Sequence, residues 1–107
     1  YANQLARALP DVGSTTKAAW ATDNPHEALA NAVPYMQAFG HVVLGWIWLD
    51  VALAVLAKDD GLAIAAHRGS MAAQRYFFHY ELPRIGAWLQ VVKARDMTCA
   101  NMEEEAF

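Results

Sequence analysis

The sequence contains little cysteine, little charge and no alternating strand pattern. Its single cysteine, Cys99, cannot form an internal disulfide, which argues against a secreted, disulfide-stapled scaffold. Charged residues make up 18% of the chain, and the net charge of −3 gives no electrostatic basis for binding nucleic acid. Hydrophobic residues make up 56%, which excludes a disordered chain and predicts apolar surface that a partner covers.

Helix-forming residues dominate what is present. The chain holds 22 alanines, accompanied by leucine, methionine, glutamine, glutamate and arginine. These residues predict an all-α fold, and the absence of internal repeats or low-complexity linkers predicts one compact domain over residues 1–107. The chain begins at Tyr1 without a basic, cleavable leader, so we expect it to be the C-terminal fragment of a longer chain.

The longest helical segment is predicted over residues 25–58, with Asn24 as its cap. Pro34 lies inside this segment and lacks an N–H, so we expect a kink near it. Between residues 42 and 57 the only charged residue is Asp50. A carboxylate there would cost about 2.5–3.5 kcal/mol in a membrane. The sequence therefore predicts a central helix covered on most sides by protein, and no membrane span.

Three further segments complete the predicted fold. The first covers residues 2–21, where Pro10 should break or kink the helix and Trp20 is expected to anchor it in the core. The third runs from a turn at residues 59–61 to about residue 81, where a Leu-Pro pair stops it. The fourth carries a regular apolar stripe formed by Ile85, Trp88, Leu89 and Val92. Short connections between these helices predict an antiparallel, up-down four-helix bundle.

Metal-ligand spacing is absent from the sequence. Di-metal carboxylate bundles need Glu-x-x-His pairs on facing helices, and no such pair occurs. Of the four histidines, His41 and His79 are expected to be neutral residues of the core, and His26 and His67 to face solvent. We predict no catalytic, cofactor-binding or metal-binding residue within this chain.

Asp50 is the carboxylate in the most apolar surroundings. An ion pair with Arg68 or Arg75, or a water-facing seam, is the structural interpretation, since an unpaired buried charge is costly. The functional alternative is a catalytic base. That role needs a substrate pocket and partner groups, which the sequence does not show. Cys99 likewise lacks a recognisable base and is interpreted as a bystander thiol.

Two tryptophans on the long segment point in nearly opposite directions. Trp46 and Trp48 are separated by about 200° around a helix. One of them can then fill the core while the other faces a partner, and burial of both is the alternative. Gly45 and Gly86 lie within helical segments and are expected to permit close helix approach.

Three stretches, in this order and spacing, resemble a known family. They are residues 28–36 with 39–46, residues 75–83 and residues 102–107. The first contains Val-Pro-Tyr-Met and Gly-His-Val-Val, the second an arginine, an aromatic cluster and Leu-Pro, and the third Met-Glu-Glu-Glu-Ala-Phe. Together they resemble the C-terminal helical extension of a subgroup of acyl-CoA dehydrogenases, the acetyl-CoA-dehydrogenase-like C-terminal domain. The family tends to place a glycine where this chain has Arg95.

The resemblance implies a parent oxidoreductase whose upstream flavoprotein portion binds FAD. In that family a catalytic glutamate removes the α-proton of an acyl-CoA, the β-hydride passes to the flavin, and an electron-transfer partner reoxidises it. None of those motifs is present here, so the resemblance implies a non-catalytic accessory domain. It would pack on the flavoprotein body of a cytoplasmic homo-oligomer and support subunit contacts.

Two other classes of function remain open from the sequence. A free-standing helical module could dimerise through its Trp-bearing face without enzymatic activity. A small ligand-binding bundle could instead use Asp50 and the aromatic residues. The coding sequence upstream of Tyr1 discriminates the first class from the accessory domain.

Overall fold

The computed structural model describes residues 1–57 and 64–106, and within these ranges every regular element is helical. The α-helices are α1 (Ala2–Ala19), α2 (Pro25–Ala28), α3 (Ala32–Leu56), α4 (Ile64–Tyr76) and α5 (Ile85–Lys93). A π-helical turn (Phe77–Glu81) and a 3-10 turn (Leu82–Arg84) join α4 to α5, and a second 3-10 turn (Glu104–Ala106) follows near the end. The all-α prediction is confirmed. The turn predicted at residues 59–61 lies outside the described residues.

Pro10, which we expected to break or kink the first helix, does not break it. α1 runs continuously through it, and both Pro10 and Ala6 are exposed. The Ala6 carbonyl, which loses its helical donor at Pro10, therefore faces water and can bond to it. Burial of Leu5 and Val12 on the opposite face holds the helix together across the proline.

Trp20 is not the anchor of α1. The helix ends at Ala19, and Trp20 forms its C-cap with 53% of its surface exposed. Leaving the helix at this point takes Trp20 off the apolar stripe. Ala19 and Thr15 occupy the buried end of the stripe instead.

The predicted long segment is two helices rather than one kinked helix. α2 begins at Pro25 behind the Asn24 cap, as predicted, and Asn24 Oδ1 accepts a hydrogen bond from the His26 N–H at 3.0 Å. It ends after one turn, and α3 starts at Ala32. Pro34 then falls in the first turn of α3, where an N–H has no helical partner, so its missing donor costs little.

The core lies between α1, α3 and α5, which make the principal helix–helix contacts. Its buried members are Leu5, Ala8, Val12, Ala38, Val42, Phe77, Phe78, Leu82, Ile85 and Leu89, with Tyr35, Trp48, Leu49 and Trp88 packed against them. α4 contacts α3 and continues through the π-helical turn towards α5. Pro83 has no N–H to donate to a preceding carbonyl, so a regular α-helix cannot continue through it. The π-helical turn before it and the 3-10 turn that contains it replace the regular helix at this point. An antiparallel four-helix bundle is therefore not confirmed.

The fold is open and elongated rather than compact. The molecule measures 61 × 31 × 17 Å and has a radius of gyration of 18.1 Å. A compact chain of this length would have a radius of about 13 Å. Its accessible surface is 7507 Å², against about 5,900 Å² for a compact monomer of this mass. Such excess surface is typical of a domain whose exposed apolar side chains are buried only by a partner.

α3 is not covered on most sides, as the sequence led us to expect. Its buried residues are Ala38, Val42 and Gly45, which lie on one face. α3 is also long and apolar enough to cross a membrane by length and composition, with a mean hydropathy of 1.9 over its most apolar 18 residues. The core helix of a soluble protein meets the same criterion when it is mostly buried, whereas only 11% of this window is buried here.

Candidate docking surface

The side of α3 turned away from α1 and α5 is apolar and exposed. Side chains three and four residues apart share a helical face, so the buried positions 38, 42 and 45 fix where the opposite side begins. We call that opposite side the outer face; its main members are Met36, Phe39, Val43, Leu44, Trp46, Ile47 and Val51, all exposed. Trp46 is 62% exposed and Ile47 is 50% exposed. Contiguous apolar surface of this kind marks an interaction site.

The two tryptophans of α3 divide between core and surface. Trp48 packs against the core cluster, whereas Trp46 is exposed. Of the alternatives that the sequence left open, the structure therefore selects one tryptophan inside and one outside.

Gly45 allows α3 to lie close to its neighbours. A Cβ at this position would stand 3.3 Å from Leu5 Cδ1 and 3.5 Å from Phe77 Cε1. The close approach expected at Gly45 is confirmed. At Gly86 a Cβ would meet nothing within 4 Å, so the same expectation is wrong there.

An apolar groove of about 520 Å³ runs between α1 and the edge of the outer face. It is lined by Leu5, Leu9, Phe39, Val42, Val43 and Trp46. The lining has no charged side chain, and the indole N–H of Trp46 is its only polar side-chain group. This groove therefore suits apolar side chains of a partner rather than a polar cofactor or substrate.

Asp50 lies on the outer face and not in an internal ion pair. Its side chain is exposed, and within the described residues neither Arg68 nor Arg75 is paired with it. Of the two structural interpretations, the ion pair is wrong and the water-facing position is confirmed, because Asp50 points away from the packed side of α3, while both arginines are exposed on α4. The residues one turn before and after Asp50 are Trp46, Ile47, Leu53 and Ala54, all exposed and apolar.

A polar cluster joins α3 to the π-helical turn. His41 is half-buried; its Nδ1 lies 3.0 Å from the Gln37 carbonyl oxygen and its Nε2 lies 3.3 Å from Glu81 Oε2. The ring stacks on Phe77 and meets Trp88 edge-on, with centroids 4.7 Å apart in the second contact. Because both ring nitrogens face acceptors, the imidazole donates both hydrogen bonds only when it carries two protons.

Glu81 collects the other polar contacts of this cluster. Its Oε1 accepts a hydrogen bond from the Tyr76 hydroxyl at 3.4 Å and lies 3.7 Å from Arg84 Nη2. The cluster ties four helical elements together, namely α3, α4, the π-helical turn and the 3-10 turn that follows it. We assign it a structural role in positioning α3 against the π-helical turn.

The histidines differ from expectation in part. His41 is half-buried and bonded to a carbonyl, as expected of a core histidine, and it has a carboxylate partner in addition. His79 is exposed rather than in the core, with its ring edge-on to Tyr1. His26 is exposed as predicted, whereas His67 is half-buried. In the part of the chain that the structure describes, no three His, Cys, Asp or Glu side chains converge on a metal position.

Arg95 closes the C-terminal end of α5. Its φ of 50° is left-handed, and the Asp96 and Arg95 amides donate to the carbonyls of Val91 and Val92 at 3.1 Å each. This is a Schellman cap with an arginine where glycine is usual. The guanidinium reaches back to Glu27 Oε1 at 2.9 Å and to the Ala18 carbonyl oxygen. Arg95 therefore ties α5 to α2 and to the end of α1.

Two polar side chains complete this cap. Asn31, which precedes α3, donates through Nδ2 to the carbonyl oxygen of Asp96 at 2.8 Å. The Asp96 carboxylate accepts a hydrogen bond from the Thr98 N–H at 2.9 Å, and Thr98 lowers the pKa of that carboxyl below its ordinary value. The cap thus fixes the end of α5 against the start of α3.

Comparison with known proteins decides the family. The family model described as "Acetyl-CoA dehydrogenase C-terminal like" matches residues 1–103. The chain belongs to this family. The chain is also 28% identical, over 98 residues, to a butyryl-CoA dehydrogenase of Syntrophomonas wolfei. That alignment covers 87% of this chain and 16% of the relative, so the chain spans about one-sixth of the curated protein that it matches. No solved structure matches.

Sequence reasoning missed the contacts that hold this acetyl-CoA dehydrogenase C-terminal-like domain together. The Arg95–Glu27 and His41–Glu81 pairs join residues far apart in the chain, and no local sequence pattern predicts such pairs. The outer face of α3 did have a signal, because residues 42–57 are apolar on every side of a helix. Cys99 is exposed and unbonded, in keeping with a bystander thiol.

Proposed function

We propose that residues 1–107 form the C-terminal helical domain of an FAD-dependent acyl-CoA dehydrogenase. The domain would be an accessory part that packs on the flavoprotein body and supports contacts between subunits of a cytoplasmic homo-oligomer. The observation that carries this proposal is the exposed, apolar outer face of α3, which needs covering. Membership of the family and the small share of the relative that is matched support it.

The chemistry of such an enzyme would lie outside this domain. In the parent, FAD would accept the β-hydride of an acyl-CoA thioester, and an electron-transfer partner would reoxidise it. The described residues do not fit FAD, since they offer neither a glycine-rich phosphate loop nor a cluster of basic side chains for its diphosphate. The contribution of this chain is then to burial, positioning and stability.

The visible absorption spectrum of the full-length protein tests this proposal. We expect flavin bands that bleach when an acyl-CoA is added, because the substrate reduces the flavin. A series of acyl-CoA thioesters of increasing chain length would identify the preferred substrate. A colourless protein that does not respond to any of them would contradict the proposal.

A free-standing dimerisation module is the second candidate function. Trp46 is 62% exposed, and this favours the module because two copies could cover each other's outer face. The coding sequence upstream of Tyr1 separates the candidates. A long flavoprotein region supports the accessory domain, whereas a nearby start codon supports the module.

A further inference from the structure

We propose that the outer face of α3 is buried against an apolar surface of the flavoprotein body that presents one basic side chain to Asp50. This inference rests on the proposed function and deepens it. It names the docking face, the side chain that sets its register and the charge of the partner group. A face with these properties recognises a particular surface, not any apolar one.

Asp50 supplies the argument for a basic partner. It is the only charged residue of α3, and its neighbours one turn away on either side are exposed and apolar. A partner that covers Trp46, Ile47 and Leu53 also removes Asp50 from water. A desolvated carboxylate needs a paired cation or several donors. An arginine or lysine of the partner meets that need and fixes the orientation of docking.

A second copy of this chain does not provide that partner through α3. In a two-fold pairing of outer faces, the surface of one α3 meets the same surface of the other. α3 contains no lysine or arginine between Ala32 and Leu56. Such a pairing would bury two carboxylates without a cation from either helix. The occupant is therefore a different surface.

A lipid bilayer is also a poor occupant of this face. Asp50 lies well inside α3, six residues before its C-terminal end at Leu56. A carboxylate at that depth is strongly disfavoured in hydrocarbon.

The rest of a longer chain is the occupant that the comparisons favour. The alignment covers only 16% of the butyryl-CoA dehydrogenase, so that relative contains a large body beyond this domain. Tethering in one chain raises the effective concentration of the two surfaces, which stabilises a modest interface. The subunit contacts of the proposed function would then use other surfaces of the domain.

Cysteine labelling of the full-length protein tests whether the outer face is covered. In an Ile47→Cys variant, the reaction of the new thiol with a hydrophilic maleimide is followed by peptide mass spectrometry. Ile47 is 50% exposed in the isolated fold, so the substitution should not disturb the core. We expect labelling to be roughly tenfold or more slower than in the denatured protein, since it requires transient opening. Cys99, which is exposed, reports reagent access in the same sample.

Charge reversal tests the role of Asp50. In the Ile47→Cys background, Asp50→Arg should raise the labelling rate towards that of the denatured protein, because two cations would then face each other. Asp23→Arg is the matched control, since Asp23 is exposed in the loop before α2 and is not part of α3. It should leave the labelling rate unchanged. Circular dichroism establishes that both variants remain helical.

Four results would overturn the inference. Labelling of Ile47→Cys at the denatured rate would show an uncovered face, and protection that disappears on dilution would assign the face to a second copy. Protection only with added phospholipid vesicles would assign it to a membrane. Unchanged protection in Asp50→Arg would remove the basic partner. If flavin bands bleach with an acyl-CoA in the same preparation, any of these results refutes this inference and leaves the assignment of the parent protein as an acyl-CoA dehydrogenase standing.

Discussion

At the scale of single residues, the fold depends on a few long-range polar contacts. Arg95 adopts a left-handed conformation at the end of α5, and its guanidinium bonds to Glu27 and to the end of α1. A non-glycine residue with positive φ is strained. The ion pair and the carbonyl contact offset that strain. Arg95 thus combines a strained backbone conformation with a side-chain contact that joins two helices.

Two substitutions of Arg95 separate the strain from the tie. Arg95→Ala and Arg95→Gly both remove the contacts with Glu27, but only glycine relieves the positive φ. We expect the alanine variant to be less stable than the glycine variant by about 1 kcal/mol. Urea unfolding measures the difference. Equal stabilities would show that the conformation at residue 95 carries no strain.

The His41–Glu81 pair should contribute measurably to stability. Its side chains are 20% and 23% exposed, so solvent screens the contact only in part. A double-mutant cycle with His41→Ala and Glu81→Gln should give a coupling of about 0.5–1 kcal/mol. The control cycle pairs Glu81→Gln with Arg84→Ala. The Arg84 side chain is 58% exposed, and its Nη2 lies 3.7 Å from Glu81 Oε1. A coupling as large in the control cycle would contradict the assignment.

Asp96 gives the cap of α5 a dependence on pH. Hydrogen bonds from Thr98 lower the pKa of the Asp96 carboxyl in the folded protein below its unfolded value. A depressed carboxyl pKa stabilises the fold above the unfolded value, and this contribution is lost as the pH falls through the folded value. Asp96→Asn should therefore flatten the acid limb of the stability curve. An unchanged limb in a pH series of urea denaturations would refute this.

At the scale of elements, the sequence predicted the helices but not how they join. The Asn24–Pro25 start was correct because capping is a local property, whereas the break before Ala32 was missed because Pro34 suits either a kink or a first turn. Pro10 and Trp20 were misjudged for a related reason. Whether a proline or tryptophan faces the core depends on where the helix ends and on which of its faces packs against other helices. Neither property can be read from the local sequence. Because we expected an apolar helix to be covered by protein, we did not predict the exposed outer face of α3.

Two glycines of α3 provide a matched test of its packing. Gly40→Ala meets nothing within 4 Å and should stabilise the helix by about 0.5–1 kcal/mol. Gly45→Ala places its methyl group 3.3 Å from Leu5 Cδ1. Leu5 must yield, so this variant should gain less than Gly40→Ala or lose stability. Thermal unfolding of both variants measures the difference, and equal gains would contradict the close packing at Gly45.

At the scale of the whole molecule, the surplus of apolar residues in the sequence and the surplus of surface in the structure have one explanation. A chain that is 56% hydrophobic folds around α1, α3 and α5 and leaves one side of its most apolar helix open. The composition predicts a partner, because a small domain with this many apolar residues exposes apolar surface that a partner can cover. It could not show where the partner binds, because that depends on which face of α3 the other helices cover.

We propose that this domain stabilises the flavoprotein body without taking part in its chemistry. The most direct measurement is the temperature at which flavin is released, followed by its fluorescence, in the full-length protein and in a chain that ends before Tyr1. We predict that the shortened protein releases flavin at a lower temperature, while an acyl-CoA still bleaches its flavin below that temperature. The same release temperature in both proteins would contradict the claim.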